Sequence, residues 1–314
     1  MLKKKHISYQ HWLLEWLEFK KKFIKESSYA TYVGLSHLHI IPTLGKYKLN
    51  ELTTKLLQEF IIEKCNSNLE KPLSEKTVKD IMTIVCSSIN AAVAENKMHS
   101  INLTFTFPKK NIKRNIDIFE KDEQKKLIKY CHKNLNSRNI GILLALYTGL
   151  RIGELSALQW KHINLKKNII SIEQTLQRIP TNGAESKTKI IITQPKTLNS
   201  IREIPISRQF STILKDFQTD EESYLLSGNE FYIEPRTYRR YYQKILQKNN
   251  LKQLKFHCLR HSFATTCIDL KIAPKIVSEL LGHSSIQTTL NLYVHPTLKD
   301  KAKCIDVLYN SFSK

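Results

Sequence analysis

Closely spaced cysteines are missing from this 314-residue chain: its six cysteines lie far apart, and no two form a CxxC pair. Neither a disulfide framework nor a zinc site is therefore indicated, and a reducing cytoplasm suits the protein best. Glycine is scarce, with 8 residues, and no low-complexity tract is present. A composition that is 41% hydrophobic predicts a folded globular protein rather than a disordered one.

Long apolar runs are also missing. The most apolar stretch, 140–150, is too short to span a bilayer. The amino terminus, MLKKKHISYQHW, is basic but has no apolar segment of the kind found in signal peptides. We therefore expect no membrane partner.

Acidic residues are too few to balance the basic ones: 28 Asp and Glu face 50 Lys and Arg, which gives a formal net charge of +22. Residues 1–114 carry 19 basic and 10 acidic side chains, so +9 of this charge lies there and +13 in the remainder. Both halves are basic, as expected if a polyanion such as DNA is held from two sides. Solubility alone is the simpler explanation of the charge.

The sequence patterns predict two domains joined by a linker. In the first hundred residues, apolar residues recur at helical spacing, most clearly along 78–93, and residues 1–107 are predicted to form a helical domain. Residues 102–117 lose this periodicity, and 108–117 are interpreted as a basic linker that either follows a phosphate backbone or is a solvated loop. Its basic residues are Lys109, Lys110, Lys113 and Arg114. The second domain is then 118–314.

The second domain is predicted to be mainly α-helical with one small antiparallel sheet, an α+β fold. A helix is expected over 120–132, and the uniformly apolar residues 140–148 indicate a buried helix that ends at Gly149. Helices are expected again from Pro235. Strands are expected over 169–178, 189–194 and 201–206, the last two joined by a hairpin turn.

Two segments of this domain combine basic residues with turn signals. In TGLRIGEL, Arg151 follows Gly149 and Glu154 lies one turn later, a spacing that is most often a structural ion pair. In PKTLNSIREIPI, Lys196 lies at the tip of the predicted hairpin, where a lysine is usually just solvated. Neither segment identifies a site by itself.

A third segment, HCLRHSFATT, places His257, Arg260 and His261 on one face of a helix. Clustered cations are costly unless an anion lies opposite, and Arg260 would repel a metal ion. A phosphate is therefore a better candidate ligand than a metal.

In the fourth segment, LGHSSIQTTLNLYVHP, Gly282 is expected to end one helix, while Ser284 and Gln287 predict a capping box for the next. His283 then lies at a helix junction. Tyr293 follows further along, at a position where a tyrosine is most often a core residue.

Together and in this order, RIGEL, PKT, HCLRH and LGH with the later tyrosine resemble the motifs of the tyrosine recombinases, also called phage integrases. Residues 31–53 are similar to the family's core-DNA-binding domain, so the resemblance spans nearly the whole chain. These helices begin almost at once, and the arm-binding domain of many phage and conjugative-transposon integrases is not expected. The resemblance implies six active-site residues: Arg151, Lys196, His257, Arg260, His283 and Tyr293.

The resemblance implies a site-specific recombinase that cuts and rejoins DNA. Tyr293 would attack the phosphorus and form a 3′-phosphotyrosine without ATP, while Arg151 and Arg260 hold the non-bridging oxygens without a metal or other cofactor. Lys196 would protonate the leaving 5′-oxygen. The expected roles of the others are proton transfer from Tyr293 for His257, donation to a phosphate oxygen for His283, and orientation of Arg151 for Glu154.

Double-stranded DNA is the expected partner, which would place the protein at the nucleoid in the cytoplasm. A helix over 237–248, with Arg236, Arg239 and Arg240, either enters the major groove or is merely solvated. The segment 298–312 has apolar residues at helical spacing. In related recombinases such a tail packs into a neighbouring subunit, which implies a homotetramer on two DNA duplexes, and the resemblance also allows an accessory directionality protein.

The sequence leaves two rival functions open. A type IB topoisomerase uses a similar set of residues to relax supercoils as a monomer, although the separate helical domain and the tail favour recombination. A non-catalytic DNA-binding regulator with the same fold would be expected to have lost at least one of the six residues, and none is lost.

Overall fold

The structure is a computed structural model that describes residues 7–66, 72–108, 117–181, 187–194 and 200–293, together with part of the segment 302–312. The chain divides into two compact units. Unit 1 consists of Met1–Lys113 with Arg178–Lys189, and unit 2 of Arg114–Gln177 with Ile190–Lys314. The basic linker residues Lys109, Lys110, Lys113 and Arg114 lie outside the described residues. The linker and the domain limits therefore stay predictions.

Unit 1 is built mainly from helices, as the apolar periodicity predicts. Side-chain hydroxyls of Ser8, Thr53 and Ser74 accept first-turn N–H groups and so fix where α1, α4 and α5 begin. A π-helical turn, Ser36–Ile40, joins α2 to α3. The bounds are α1 (Tyr9–Lys20), α2 (Glu26–Leu35), α3 (Ile41–Leu44), α4 (Thr54–Cys65) and α5 (Glu75–Ala94).

The core of unit 1 forms where α1 packs on α5. Trp12 Nε1 donates to the Ser88 carbonyl oxygen at 2.9 Å, and the Tyr9 hydroxyl lies 2.8 Å from Ser88 Oγ. Both aromatic side chains are thus buried with their polar atoms satisfied. Among the described residues, α5 is the one helix long and apolar enough to cross a membrane. Its apolar residues, such as Ile81 and Val85, are fully buried in this core, which accounts for its composition.

Unit 2 surrounds the buried helix α7. The predicted helix over 120–132 is confirmed as α6, and α7 is buried along 139–146, although Tyr147 is 41% exposed. The side chain of Asn136 accepts the Asn139 N–H and starts α7. The bounds are α6 (Lys121–Lys133), α7 (Ser137–Thr148), α8 (Ile152–Ser156), α9 (Arg208–Lys215), α10 (Pro235–Lys248), α11 (His257–Asp269), α12 (Pro274–Leu281) and α13 (Ile286–Tyr293).

Within the described residues the strands form two sheets rather than one. The strands are β1 (Ile163–Asn164), β2 (Ile169–Ile172), β3 (Thr175–Pro180), β4 (Thr188–Thr193) and β5 (Arg202–Pro205). β1, β2 and β5 form an antiparallel sheet in which Ile170 faces Ile204 and Ile172 faces Arg202, whereas β3 pairs with β4. The predicted single strand over 169–178 is therefore wrong, because β2 and β3 join different sheets. The predicted β4–β5 hairpin is also wrong, since β5 pairs with β2.

The described tail residues have helical backbone. Ile305, Leu308 and Phe312 are exposed, at 63%, 53% and 82%. Leu298 lies outside the described residues. Packing of the tail on a neighbouring subunit stays a prediction.

The turn after α7 depends on Gly149, which ends the helix with φ of 68°, as the sequence predicts. A Cβ atom here would lie 2.6 Å from Leu281 Cδ2 and 2.7 Å from Phe263 Cδ1. Gly149 therefore lets α7 end against α11 and α12.

We expect Gly149→Ala to lower the free energy of unfolding by about 3 kcal/mol, because left-handed backbone and overpacking both oppose a side chain there. Gly228→Ala is the matched control: Gly228 has φ of 71°, but its Cβ would meet only Ser137 Oγ, at 3.6 Å. It should cost about 1 kcal/mol. If urea unfolding shows that both variants lose the same free energy of unfolding, close packing around Gly149 is not the cause.

Candidate active site

Three consecutive carbonyl groups at the C-terminal end of α12 each accept a hydrogen bond from a different arginine. Arg202 Nε donates to Leu280 O at 2.7 Å, and Arg260 donates to Leu281 O at 2.6 Å. Arg151 donates to Gly282 O at 3.4 Å. The last carbonyls of a helix lack intrahelical partners and carry partial negative charge, so they attract cations. This end of α12 therefore gathers guanidinium groups from three distant parts of the sequence.

Arg260 is also tied to the end of α7. It is 2% exposed, and its other terminal nitrogen donates to Gly149 O at 2.9 Å. The two glycine-ended helices thus meet around one guanidinium. Gly282 has φ of 63°, which confirms the predicted helix end.

Glu154 lies between two of the arginines. Its carboxylate accepts from Arg151 NH1 at 2.7 Å and from both terminal nitrogens of Arg202, at 3.0 and 3.2 Å. It also accepts the Arg151 backbone N–H at 3.0 Å. Burial would raise the pKa of Glu154, but the charge and hydrogen bonds of Arg202, and then of Arg151, lower it below its ordinary value. Glu154 is therefore ionised and fixes both arginines.

Positive charge exceeds negative charge in this cluster, which contains three guanidinium groups and one carboxylate. The pKa of Arg260 is lowered, first by burial and then by the charge of Arg151. An anion bound here would offset that repulsion and would meet planar N–H donors suited to phosphate oxygens. The cluster has the charge and donors of a phosphate site.

His283 follows this end of α12. Its Nδ1 lies 2.8 Å from Oγ1 of Thr289, which is fully buried on α13. Burial, followed by the charges of Arg260 and Arg151, lowers the pKa of His283 to about 4. The ring is therefore neutral at pH 7, and Thr289 fixes its orientation.

The start of α13 differs from the predicted capping box. The Gln287 N–H is donated to Ser285 Oγ at 3.2 Å, and the Gln287 side chain donates to Asn291 Oδ1 at 2.5 Å. The capping hydroxyl is therefore that of Ser285 and not that of Ser284. The reason is that α13 begins at Ile286, one residue later than that box requires.

Tyr293, at the end of α13, is 7% exposed and packs with Ala264, Cys267, Val277 and Leu281. Its hydroxyl lies 2.5 Å from Nδ1 of His261. Burial raises the pKa of Tyr293, and the charge of Arg260 partly opposes this. The phenol is therefore protonated and held by an imidazole.

His257, the first residue of α11, packs edge-on against His261, with ring centroids 4.6 Å apart. Although part of this residue is exposed, the surrounding protein removes water from the ring, and this desolvation is the main reason why the pKa of His257 falls to about 4. The charges of His261 and Arg260 lower it further. The predicted shared face of His257, Arg260 and His261 on one helix is confirmed. The imidazole that is hydrogen-bonded to Tyr293 belongs to His261 and not to His257.

The remaining predicted residues lie elsewhere or are not described. Lys196 lies outside the described residues. Arg236, Arg239 and Arg240 are exposed on α10, whose opposite face is buried through Tyr238 and Tyr242. Within the described part of the chain, no cluster of three or more His, Cys, Asp or Glu residues could hold a metal.

Sequence reasoning missed Arg202, Thr289 and the contact of His261. Arg202 had a recognisable signal. It lies two residues before Ile204 on β5, so the two side chains share the inward face of the strand, and a buried arginine needs a charged partner. Thr289 is i−4 to Tyr293 on one helix, but only packing shows which histidine each of them meets.

Comparison with known proteins agrees with these observations. The sequence pattern of the Phage integrase family matches residues 117–299, and that of the phage integrase N-terminal SAM-like domain matches residues 8–64. The chain belongs to the phage integrase family. Members of this tyrosine recombinase family are site-specific DNA recombination enzymes, and this chain is one of them.

Two relatives show how far the likeness extends. A "Tyrosine recombinase XerC-like" protein of Caldanaerobacter subterraneus subsp. tengcongensis is 28% identical, over 96% of this chain and 81% of its own length. The integrase of a Staphylococcus phage is 29% identical, over 94% of this chain and 90% of its own.

Solved integrases share the fold. The integrase of transposon Tn1549, in complex with transposon right end DNA, has a TM-score of 0.78 at 19% identity, covering 96% of this chain and 100% of that one. A lambda integrase tetramer bound to a Holliday junction has a TM-score of 0.65 at 18% identity, covering 94% of this chain and 80% of that one. The predicted fold, mainly helical with small sheets, is confirmed.

We expect Glu154→Gln to lower the free energy of unfolding at pH 7 by about 3 kcal/mol, because it removes the charge that pairs with two arginines. Since the pKa of Glu154 is depressed in the folded state, its stabilisation is present above the unfolded value of about 4.3 and is lost as pH falls through the folded value. The difference between wild type and variant should therefore shrink below about pH 4, as measured by urea unfolding across pH.

Glu203→Gln is the control for this experiment. Glu203 is the next residue after Arg202, and it is exposed on β5. Its substitution should leave the unfolding curve unchanged. A Glu154→Gln deficit that stays constant from neutral to acid pH would show that the charge of Glu154 is not the cause.

Proposed function

We propose that this integrase cleaves and rejoins DNA through a 3′-phosphotyrosine at Tyr293, with the phosphate held at the C-terminal end of α12. One observation carries the proposal: Arg151 and Arg260 donate to neighbouring carbonyls of α12, and α13, which follows directly, bears Tyr293. A scissile phosphate at this cluster would meet two planar guanidinium groups. It would also lie close to the helix that brings the nucleophile.

The arginines supply the electrostatic part of the catalysis. Phosphoryl transfer is accelerated mainly by positioning and by stabilising charge on the non-bridging oxygens, and fixed donors do this without reorganising. Glu154 and the α12 carbonyls hold Arg151 and Arg260 before DNA arrives. We infer that no metal ion is required, because the arginines supply the positive charge, and that no ATP is required, because the bond energy is conserved in the phosphotyrosine.

The other predicted residues complete the chemistry. Lys196 protonates the leaving 5′-oxygen, since its ammonium is the remaining acid of the predicted set. His283 donates to a phosphate oxygen through Nε2, because a Thr289 hydroxyl that donates to Nδ1 leaves the ring proton on Nε2. His257 lies close enough to Arg260 and Arg151 for their charges to lower its pKa, so it would border the same phosphate.

Binding to double-stranded DNA uses the basic surface of both units. Arg236, Arg239 and Arg240 give α10 an exposed basic face, and the predicted linker contributes Lys109, Lys110, Lys113 and Arg114. Solved relatives include an integrase tetramer on a Holliday junction. By analogy, we propose a homotetramer on two duplexes joined through the C-terminal tail, aided by an accessory directionality protein, at the nucleoid in the cytoplasm.

Tyr293→Phe should bind DNA like wild type but form no covalent adduct. Binding sites are first selected by wild-type protein from duplexes of random sequence. The selected sites are then nicked at successive positions to give suicide substrates, on which cleavage traps the protein. The measurement is a denaturant-stable band of protein linked to DNA, with the attached nucleotide mapped.

Tyr232→Phe is the matched control, because Tyr232 is an exposed tyrosine of the same unit. It should form the adduct at the wild-type rate. A denaturant-stable adduct with Tyr293→Phe, attached at another residue, would overturn the assignment of the nucleophile.

Plasmid relaxation distinguishes recombination from a type IB topoisomerase activity. A recombinase that acts as an assembly on specific sites should not relax a supercoiled plasmid that lacks the selected site, whereas a topoisomerase needs no such site. Relaxation is followed by gel electrophoresis. Efficient turnover on the site-free plasmid by monomeric protein would favour the topoisomerase.

A further inference from the structure

The contact between His261 and Tyr293 joins two helices at the nucleophile of the proposed reaction. His261 lies on α11 and Tyr293 at the end of α13, and the Nδ1–Oη distance is 2.5 Å. The ring centroids are 5.7 Å apart. Tyr293 is 7% exposed and His261 is half-buried, so little water competes for this hydrogen bond. The contact therefore determines the immediate surroundings of the phenol oxygen.

The protonation states of the two groups are complementary. Burial, followed by the charge of Arg260, lowers the pKa of His261, so its ring is neutral at pH 7 and has one nitrogen able to accept a proton. Burial raises the pKa of Tyr293 despite Arg260, so the phenol does not ionise unaided. A phenol that must lose its proton thus lies against a neutral imidazole.

The other two histidines of the site are engaged differently. His283 has its Nδ1 at 2.8 Å from Thr289 Oγ1. His257 packs edge-on against His261 with the rings at 85°, which restricts how the His261 ring can turn. A general base must lie within hydrogen-bond reach of the proton that it removes, and the hydrogen bond to the Tyr293 hydroxyl is made by His261.

We propose that His261 is the general base that takes the phenol proton from Tyr293 during cleavage and returns it during rejoining. The inference rests on the proposed function, in which Tyr293 is the nucleophile. It gives proton transfer to His261 in place of His257, the residue to which the sequence motif had assigned it.

The steps balance as follows. The Tyr293 O–H bond breaks, the proton moves to Nδ1 of His261, and the phenol oxygen forms a bond to phosphorus. The bond from phosphorus to the 5′-oxygen breaks, and that oxygen takes a proton from Lys196. In rejoining, a 5′-hydroxyl attacks the phosphotyrosine and gives its proton to Lys196, while the departing phenol oxygen recovers its proton from His261.

The test compares two substrates that differ in their leaving group. In one, the bridging 5′-oxygen is replaced by sulfur, and a thiolate leaves without needing a proton. His261→Asn keeps a polar side chain but cannot accept a proton. On the ordinary phosphodiester we expect its single-turnover cleavage to fall by about 100-fold or more, the usual contribution of a general base.

The sulfur substrate distinguishes a general base that acts on the nucleophile from a general acid that acts on the leaving group. It should restore cleavage to Lys196→Ala, which lacks the acid, but should leave His261→Asn about as impaired as on the ordinary substrate. Restoration of His261→Asn by the sulfur substrate would assign His261 to the leaving group and overturn the inference. Wild-type cleavage rates for His261→Asn on both substrates would also overturn it.

A more acidic nucleophile provides a second measurement. Fluorinated tyrosine incorporated at position 293 loses its proton more readily, so it should recover part of the cleavage lost in His261→Asn. No recovery would count against a base role. If His261→Asn does not fold, as judged by thermal unfolding and DNA binding, His261→Gln is tested in the same way.

His132→Asn is the matched control. His132 is an exposed histidine of the same unit whose Nε2 lies 3.5 Å from the hydroxyl of Tyr147, so it forms a second histidine–tyrosine pair. The His132→Asn variant should cleave both substrates at the wild-type rate.

The two proposals fail separately: wild-type protein without a Tyr293 adduct refutes the proposed function, whereas a normal adduct in His261→Asn refutes only the role of His261.

Discussion

The arrangement of the site depends on the C-terminal end of α12, where three consecutive carbonyls accept hydrogen bonds from Arg202, Arg260 and Arg151. A helix end exposes carbonyls without partners, and guanidinium groups satisfy them while keeping further donors for a ligand. Gly282 makes this possible because its left-handed backbone ends the helix sharply. The same structural solution recurs at Gly149, whose carbonyl accepts from Arg260.

Glu154 gives this cluster its rigidity without neutralising it. One carboxylate orients two guanidinium groups, yet three positive charges remain opposed by one negative charge. Burying charges is costly, and well-packed apolar residues of similar volume in place of the whole cluster would hold the fold at least as well. We interpret the retained charge as the cost of a site preorganised for an anion, in keeping with membership of the phage integrase family.

The helix α13 connects the phosphate cluster to the nucleophile. Thr289 and Tyr293 lie one turn apart, and the hydroxyl of each meets Nδ1 of a histidine outside α13: His283, in the turn just before this helix, and His261, on α11. Movement of α13 would therefore alter both contacts at once. The proposed proton transfer uses one of these two contacts, that of Tyr293 with His261.

The sequence by itself determined the helices, the helix-ending glycines and the family motifs, because apolar periodicity and glycine backbone preferences act locally. It could not determine that β5 pairs with β2, since β-branched strands look alike and pairing is a long-range choice. Nor could the sequence predict that Arg202 pairs with Glu154 or that His261 contacts Tyr293. Those partners are 48 and 32 residues apart, and only packing of the folded helices and strands decides which side chains meet.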